Sequence, residues 1–123
     1  MKIVSFGIKS EKEVLDDFVE ASEAAMKRLP FKPRIGVFFT SLESARNFLT
    51  PKRVELLRII KHRQPRSVYE LAKFVHRSFP SVLRDVDTLV RHGLVKVPRV
   101  KNSPRRAKQP RVDYDAINIR IGI

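Results

Sequence analysis

One stretch of the chain, residues 79–92, carries side chains that could read a DNA sequence. If this stretch is a helix, its apolar residues Val82, Val86 and Leu89 share one side, because successive residues lie about 100° apart. The opposite side then presents two guanidinium groups, two hydroxyls and no carboxylate, from Pro80, Ser81, Arg84, Thr88 and Arg91. Arginine can bind guanine through two hydrogen bonds in the major groove, and hydroxyls can bind bases or phosphates. The pattern predicts base recognition, with Arg84 as the first candidate for a direct contact.

A second cationic cluster lies in residues 99–111. This segment has six basic side chains and no acidic one: Arg99, Lys101, Arg105, Arg106, Lys108 and Arg111. Pro104 and Pro110 restrict its backbone, and the extended residues on either side predict a β-hairpin with this segment as its loop. Such a loop can follow the phosphate backbone or enter the minor groove. The alternative for a charge run of this kind is a solvated loop without a ligand.

Other residues that could do chemistry do not form a site. The three histidines, His62, His76 and His92, each fall at the end of a predicted helix, 14 and 16 residues apart. Asp85 and Asp87 would point about 200° apart on a helix, so they cannot share a metal ion. The chain has neither a glycine-rich phosphate loop nor a Ser/His/Asp set. We therefore expect a protein that is not an enzyme and that uses no cofactor or metal.

The charge of the chain supports a polyanionic ligand. Its 123 residues include 26 Lys and Arg against 13 Asp and Glu, a net charge of +13. Residues 1–49 hold eight basic and seven acidic side chains, whereas residues 50–123 hold eighteen basic and six acidic ones. We therefore expect a nucleic-acid-binding face in the second segment.

The composition also bears on the compartment. The chain has no cysteine, which excludes disulfides and thiolate zinc sites and fits a reducing compartment. No signal-peptide pattern follows Met1, and no apolar run is long enough to span a membrane. We expect a cytoplasmic protein that does not contact the membrane.

The residue pattern of the first segment, residues 1–49, predicts a β-α-β-α unit. A strand at residues 2–8 precedes a helix that a capping box at Ser10 opens. A second strand at residues 35–39 precedes a short helix capped by Thr40. The first helix has an apolar stripe at three- and four-residue spacing, made of Leu15, Phe18, Val19, Ser22, Ala25, Met26 and Leu29.

The second segment, residues 50–123, begins with Thr50-Pro51, a helix cap followed by proline at the first helical position. Three helices are predicted, at residues 51–62, 68–75 and 79–92, with Ser67 and Ser78 as the caps of the second and third. Only three residues separate the second helix from the third, which Gly93 ends. An extended segment follows at residues 94–100, and alternating apolar residues predict a final strand from Ile117 to Ile121.

Two helices joined by a three-residue turn and followed by a basic hairpin are typical of a winged helix-turn-helix domain. The expected fold class is therefore α+β. A winged helix-turn-helix domain of three helices plus a β-hairpin wing would occupy residues 50–123, behind a small β-α-β-α extension at residues 1–49. The candidate DNA-binding set is completed by Ser67, Arg77, Ser78 and Phe79.

The runs LTPKRVELLRII, SVYELAKFVHRSFPSVLRDVDTLVRHGLV and PRVDYDAINIRI resemble the MarR-like winged helix regulators of bacteria and archaea. The chain is more similar still to predicted prokaryotic regulators in which a short α/β extension precedes LTPKR. The resemblance implies a homodimeric regulator whose third helix reads an operator, with contacts at Ser78, Ser81, Arg84 and the wing arginines. Phe79-Pro80 departs from the polar residues common there, which suggests an apolar contact such as one to a thymine methyl group.

The function that we expect from the sequence is sequence-specific binding of double-stranded DNA by a dimeric repressor. Helix 79–92 would read the major groove, and the wing would contact the backbone or minor groove. Residues 1–49 would serve dimerisation or the binding of a protein partner. One alternative is an antitoxin-like protein whose first unit binds that partner while the winged domain represses its own operon. A nonspecific architectural nucleic-acid-binding protein is the other.

Overall fold

The structure, a computed structural model, describes residues 1–29, 37–98 and 109–123. The described residues form an α+β protein with five helices and a small three-stranded parallel sheet. Their elements in chain order are β1 (Ile3–Ile8), α1 (Glu11–Met26), β2 (Val37–Phe39), α2 (Leu42–Phe48), α3 (Pro51–Arg63), α4 (Val68–Val75), α5 (Phe79–Arg91) and β3 (Ala116–Ile121). The chain divides into two compact units. Unit 1 comprises Met1–Phe48 and Tyr114–Ile123, and unit 2 comprises Leu49–Asp113.

Unit 1 is built on a parallel sheet in the order β2-β1-β3. The last strand pairs along its whole length with β1, so that Ile3 lies opposite Ala116 and Ile8 opposite Ile121. The sequence interpretation had assigned this strand to the 50–123 segment, and the structure instead groups it with the N-terminal residues. An alternating apolar pattern predicts a strand and its two faces, but it does not identify the neighbouring strand.

Three phenylalanines form the aromatic part of the unit 1 core. The ring centroid of Phe48 lies 6.1 Å from that of Phe6 and 5.3 Å from that of Phe39. Because Phe48 is on α2, this cluster joins the short helix to the sheet. The helix begins one residue later than predicted, since the backbone amide of Ser44 donates to Oγ of Ser41, not to Thr40.

Unit 2 is a three-helix core. Leu56 and Ile60 of α3, Leu71 of α4 and Leu89 of α5 are all at most 2% exposed. The predicted caps of the first two helices are confirmed: Thr50 Oγ1 accepts from the amide of Arg53 at 3.2 Å, and Ser67 Oγ accepts from that of Glu70 at 3.0 Å. Further residues that complete this core are Leu57, Val68, Ala72, Val82, Val86, Leu94 and Val95.

The link between α4 and α5 has the predicted length of three residues, 76–78. His76 takes a left-handed conformation, with φ of 54°, and its amide closes the end of α4 on the carbonyl of Lys73. Ser78 occupies the N-cap position of α5, but its side chain makes no capping hydrogen bond. The turn therefore has the predicted length, whereas the predicted capping by the Ser78 side chain does not occur.

Gly93 ends α5 as predicted, in a left-handed conformation with φ of +75°. A Cβ atom at this position would meet nothing within 4 Å, so a substitution would cost conformational free energy alone. We expect Gly93→Ala to lower the free energy of unfolding by about 1 kcal/mol in chemical denaturation. Gly93→Asn should cost less, since asparagine enters this region more readily. An alanine variant as stable as the unsubstituted protein would contradict this explanation of the helix end.

Candidate nucleic-acid interface

Helix α5 has the two sides that the sequence predicts. Val82, Val86 and Leu89 are at most 1% exposed, and they anchor one side of the helix in the core of unit 2. Arg84 and Arg91 are exposed. Within the described residues no hydrogen bond or ion pair engages the guanidinium of Arg84. This side chain is therefore able to bind a ligand without first breaking a contact of its own.

The other predicted residues on the outer side of α5 differ in how available they are. Pro80 and Phe79 are exposed, and Ser78 is exposed at the N-cap. Thr88 is half-buried, and its hydroxyl donates to the carbonyl of Arg84 at 3.0 Å. The Nε atom of Arg91 approaches the carbonyl of Asp87 at 3.4 Å. These are local contacts along the helix, and a competing ligand could replace them at small cost.

Arg77 and Ser81 are engaged inside unit 2. Nη2 of Arg77 donates to Oγ of Ser81 at 2.8 Å and to Oδ2 of Asp85 at 2.7 Å. Arg53 on α3 donates from Nε to the second carboxylate oxygen of Asp85 at 3.1 Å. The side chains of both arginines are 20% exposed and that of Asp85 is 17% exposed. These contacts link the turn and α5 to α3, and the DNA contacts expected of Arg77 and Ser81 stay a prediction.

The titration of Asp85 reflects this network. Burial alone would raise the pKa of its carboxyl group, but hydrogen bonds and positive charge from Arg77 and Arg53 outweigh burial and hold the pKa below the usual value of 3.8. A carboxyl group whose pKa is lower in the folded state stabilises the fold at all pH values above its unfolded pKa. That stabilisation is lost as the pH falls through the folded pKa.

We expect Asp85→Asn to lower the free energy of unfolding by about 2 kcal/mol near neutral pH, because two partly buried guanidinium groups lose their anion. The difference from the unsubstituted protein should shrink as the pH falls below 3.8 towards the lower pKa of the folded state, because protonation there removes the same charge from Asp85. Denaturant titrations from neutral pH to below pH 3.8 measure both the loss of stability at neutral pH and its decrease in acid. Asp87→Asn, at an exposed carboxylate on the same helix, is the matched control. Equal losses in the two variants would contradict the role of the network.

An exposed aromatic pair lies at the start of α4 and α5, and the sequence analysis missed half of it. The rings of Tyr69 and Phe79 are 6.1 Å apart, with the side chains 58% and 40% exposed. Nζ of Lys73 lies 4.6 Å from the Tyr69 ring centroid. Tyr69 falls outside the buried stripe of α4, and this position was the only feature of the sequence that pointed to an exposed aromatic ring. Phe79 is thus part of an apolar surface beside a cation. Ser67, the cap of α4, is half-buried.

One isolated antiparallel bridge joins Lys96 to Arg111, the last residue of the segment predicted as a wing. The amide of Lys96 donates to the carbonyl of Arg111 at 2.9 Å, and the amide of Arg111 returns the bond at 2.7 Å. Arg111 is exposed. The predicted wing residues Arg99, Lys101, Arg105, Arg106 and Lys108 lie outside the described residues. The flanking strand that was to complete the hairpin is β3, which pairs with β1 instead.

The basic surplus of the chain belongs to unit 2. Its sequence, residues 49–113, has seventeen basic and five acidic side chains, whereas that of unit 1 has nine and eight. The three histidines lie at or just after the ends of α3, α4 and α5, and the described residues contain no group of three potential metal ligands. No helix among the described residues has the length and apolar character needed to cross a membrane.

Comparison with known proteins identifies a family. A protein-family model described as HVO_A0114 matches residues 48–119, more than half of the chain. The matched region covers unit 2 and continues into β3. Searches of curated proteins and of solved structures gave no match.

Proposed function

We propose that this chain, which belongs to the HVO_A0114 family, is a sequence-specific DNA-binding transcriptional regulator of the winged helix-turn-helix type. The observation that carries the proposal is the outer side of α5. Arg84 stands exposed there with no hydrogen-bond or ion-pair partner among the described residues, on a helix whose other side is anchored by Val82, Val86 and Leu89. The sequence of the same unit carries twelve more basic than acidic side chains, which suits a polyanion.

In this proposal α4, the three-residue turn and α5 form the helix-turn-helix, and α5 enters the major groove. Arg84 binds guanine through two hydrogen bonds. The aromatic pair of Tyr69 and Phe79 contributes an apolar surface for a thymine methyl group. Arg77, Asp85 and Arg53 act indirectly, because their ion pairs link the turn and α5 to α3 and so fix the direction in which Arg84 projects.

The phosphate backbone would be held by the wing, residues 99–111, and by exposed cations at the ends of the helices. These contacts supply affinity for any duplex, whereas the base contacts of α5 supply the preference for one sequence. A regulator makes both kinds of contact, whereas an architectural protein relies on the backbone contacts.

A single recognition helix reads only a few base pairs, so we propose that two copies bind two half-sites about one helical turn apart. Occupation of an operator by such a dimer would block transcription, which is the repressor function that we expect from the sequence.

Selection of bound duplexes from a random library with the purified full chain tests this proposal. We expect an enriched motif of two related half-sites whose centres are about 10 base pairs, or a multiple of that distance, apart. Binding that enriches no motif would leave the architectural alternative, because backbone contacts alone do not depend on sequence.

A further inference from the structure

Helix α1 exposes its apolar stripe. None of its sixteen residues is buried. Phe18 is 68% exposed, Leu15 61% and Met26 84%, and Val14, Val19 and Leu29 are between 44% and 57% exposed. Ser10 caps the helix as predicted, with its Oγ accepting from the amide of Glu13 at 3.2 Å. The helix is therefore regular and capped, and yet no residue of its apolar side is buried against the described residues of its own unit.

Two ion pairs explain why the stripe faces away from the sheet. Asp17 pairs with Lys9, which follows β1, and Oε2 of Glu13 accepts from Nη1 of Arg120 on β3 at 3.0 Å. At about 100° per residue, Glu13 and Asp17 lie on the side of α1 away from the centre of the stripe. The acidic side of the helix is thus attached to the rest of unit 1, and the apolar side is left for another molecule.

The stripe is large enough to form an interface. If a fully exposed large side chain has about 200 Å², the five large residues of the stripe and the neighbouring Val14 together present roughly 700 Å². The largest apolar patch on a typical monomer is about 300–600 Å², and a stable interface buries about 800 Å² per partner. Residues at the two ends of the helix would supply the remaining area.

The charges at the two ends of the stripe indicate what covers it. Exposed Glu11 lies at its N-terminal end, beside Val14, Leu15 and Phe18 along one open groove. Exposed Arg28 follows its C-terminal end, and neither charged side chain is ion-paired within the described part of the chain. Two copies of α1 packed antiparallel would bring Glu11 of one copy to Arg28 of the other at both ends. The sequence of unit 1 has nine basic and eight acidic side chains, so two copies would not repel each other.

We propose that a second copy of this chain covers the stripe, through an antiparallel contact of two α1 helices across a two-fold axis. Such a contact is isologous, so it closes as a dimer and leaves no further stripe exposed. The inference deepens the dimer of the proposed function by naming its surface. It is tested without DNA, so its failure is distinguishable from a failure of DNA binding.

Point substitutions in the full chain are the appropriate test. A chain truncated before Leu49 would lose β1, the strand with which β3 pairs, and would therefore change more than the interface. In sedimentation equilibrium at micromolar concentration the unsubstituted chain should be a dimer. Phe18→Asp should weaken the dimer by about 100-fold or more, because each dimer would contain two buried unpaired charges. Its circular dichroism spectrum should be unchanged, because Phe18 is exposed in the isolated chain.

A charge swap tests the antiparallel geometry separately. Glu11→Lys and Arg28→Glu should each weaken the dimer, and the variant with both changes should recover most of the loss. Glu20→Lys, the same charge reversal on the acidic side of α1, is the matched control and should leave the dimer intact. If the unsubstituted chain is monomeric, the proposal is overturned and the stripe is assigned to another protein. A dimer that Phe18→Asp does not weaken would overturn it as well. A double variant no better than the single ones would overturn the antiparallel arrangement.

Discussion

Replacing Arg105, Arg106 and Lys108 together with alanine is expected to lower the affinity for every duplex by about 100-fold at 0.15 M salt. The physical reason is counterion release. Each phosphate neutralised contributes a slope of about −0.9 in log affinity against log salt, which amounts to about fivefold per contact at this salt concentration. The slope of log affinity against log salt should become less negative by about 2.7 at the same time. Fluorescence anisotropy titrations measure both the affinity and this slope.

The matched control for this prediction removes the same charge from the other unit. Lys12, Lys27 and Arg46 are exposed on or beside the helices of unit 1, and their replacement with alanine should change affinity and salt dependence little. If the wing variant binds selected and random duplexes as tightly as the unsubstituted chain, the wing does not contact DNA.

Arg84→Ala is expected to change sequence preference rather than general affinity. Loss of a bidentate contact to guanine costs about 1–3 kcal/mol, or about 5- to 150-fold on the selected site. Discrimination should relax at one base pair in each half-site, because the other contacts of α5 remain. Affinity for random duplexes should fall only slightly. Binding to the selected site and to single-base-pair variants of it measures this pattern.

Arg58→Ala provides the control for Arg84→Ala, because Arg58 is an exposed arginine on α3 of the same unit. It removes the same charge without touching α5, and it should leave the sequence preference unchanged. An Arg84→Ala variant that weakens all duplexes equally would assign Arg84 to phosphate binding instead.

Local features of the fold could be predicted from the sequence because their signals are local. The caps at Ser10, Thr50 and Ser67, the three-residue turn and the left-handed Gly93 each depend on residues within one turn of one another. The buried side of α5 followed from helical spacing alone. The cap of α2 was misplaced by one residue, since Thr40 and Ser41 are both good capping residues.

Features that depend on distant residues could not be predicted in the same way. β3 was correctly predicted as a strand, but its partner β1 is more than a hundred residues away along the chain. Asp85 was weighed against neighbours on its own helix, whereas it binds Arg53, which lies 32 residues earlier, and Arg77. The same network engages the side chains of Arg77 and Ser81, which the sequence predicted only as DNA contacts. Tyr69 was missed because its position outside the buried stripe of α4 predicts exposure, but not that its ring lies beside Phe79 on the next helix.

The central claim is that the chain binds double-stranded DNA with a preference for one sequence. Its most direct test is to compare the affinity of the full chain for a selected duplex and for a shuffled duplex of the same composition across a salt series. We expect both affinities to fall steeply with salt, with a slope of about −5 from the wing cations alone. At 0.15 M salt the selected duplex should bind at least about 1,000-fold more tightly than the shuffled one. Equal affinities for the two duplexes, or affinities that do not depend on salt, would contradict the claim.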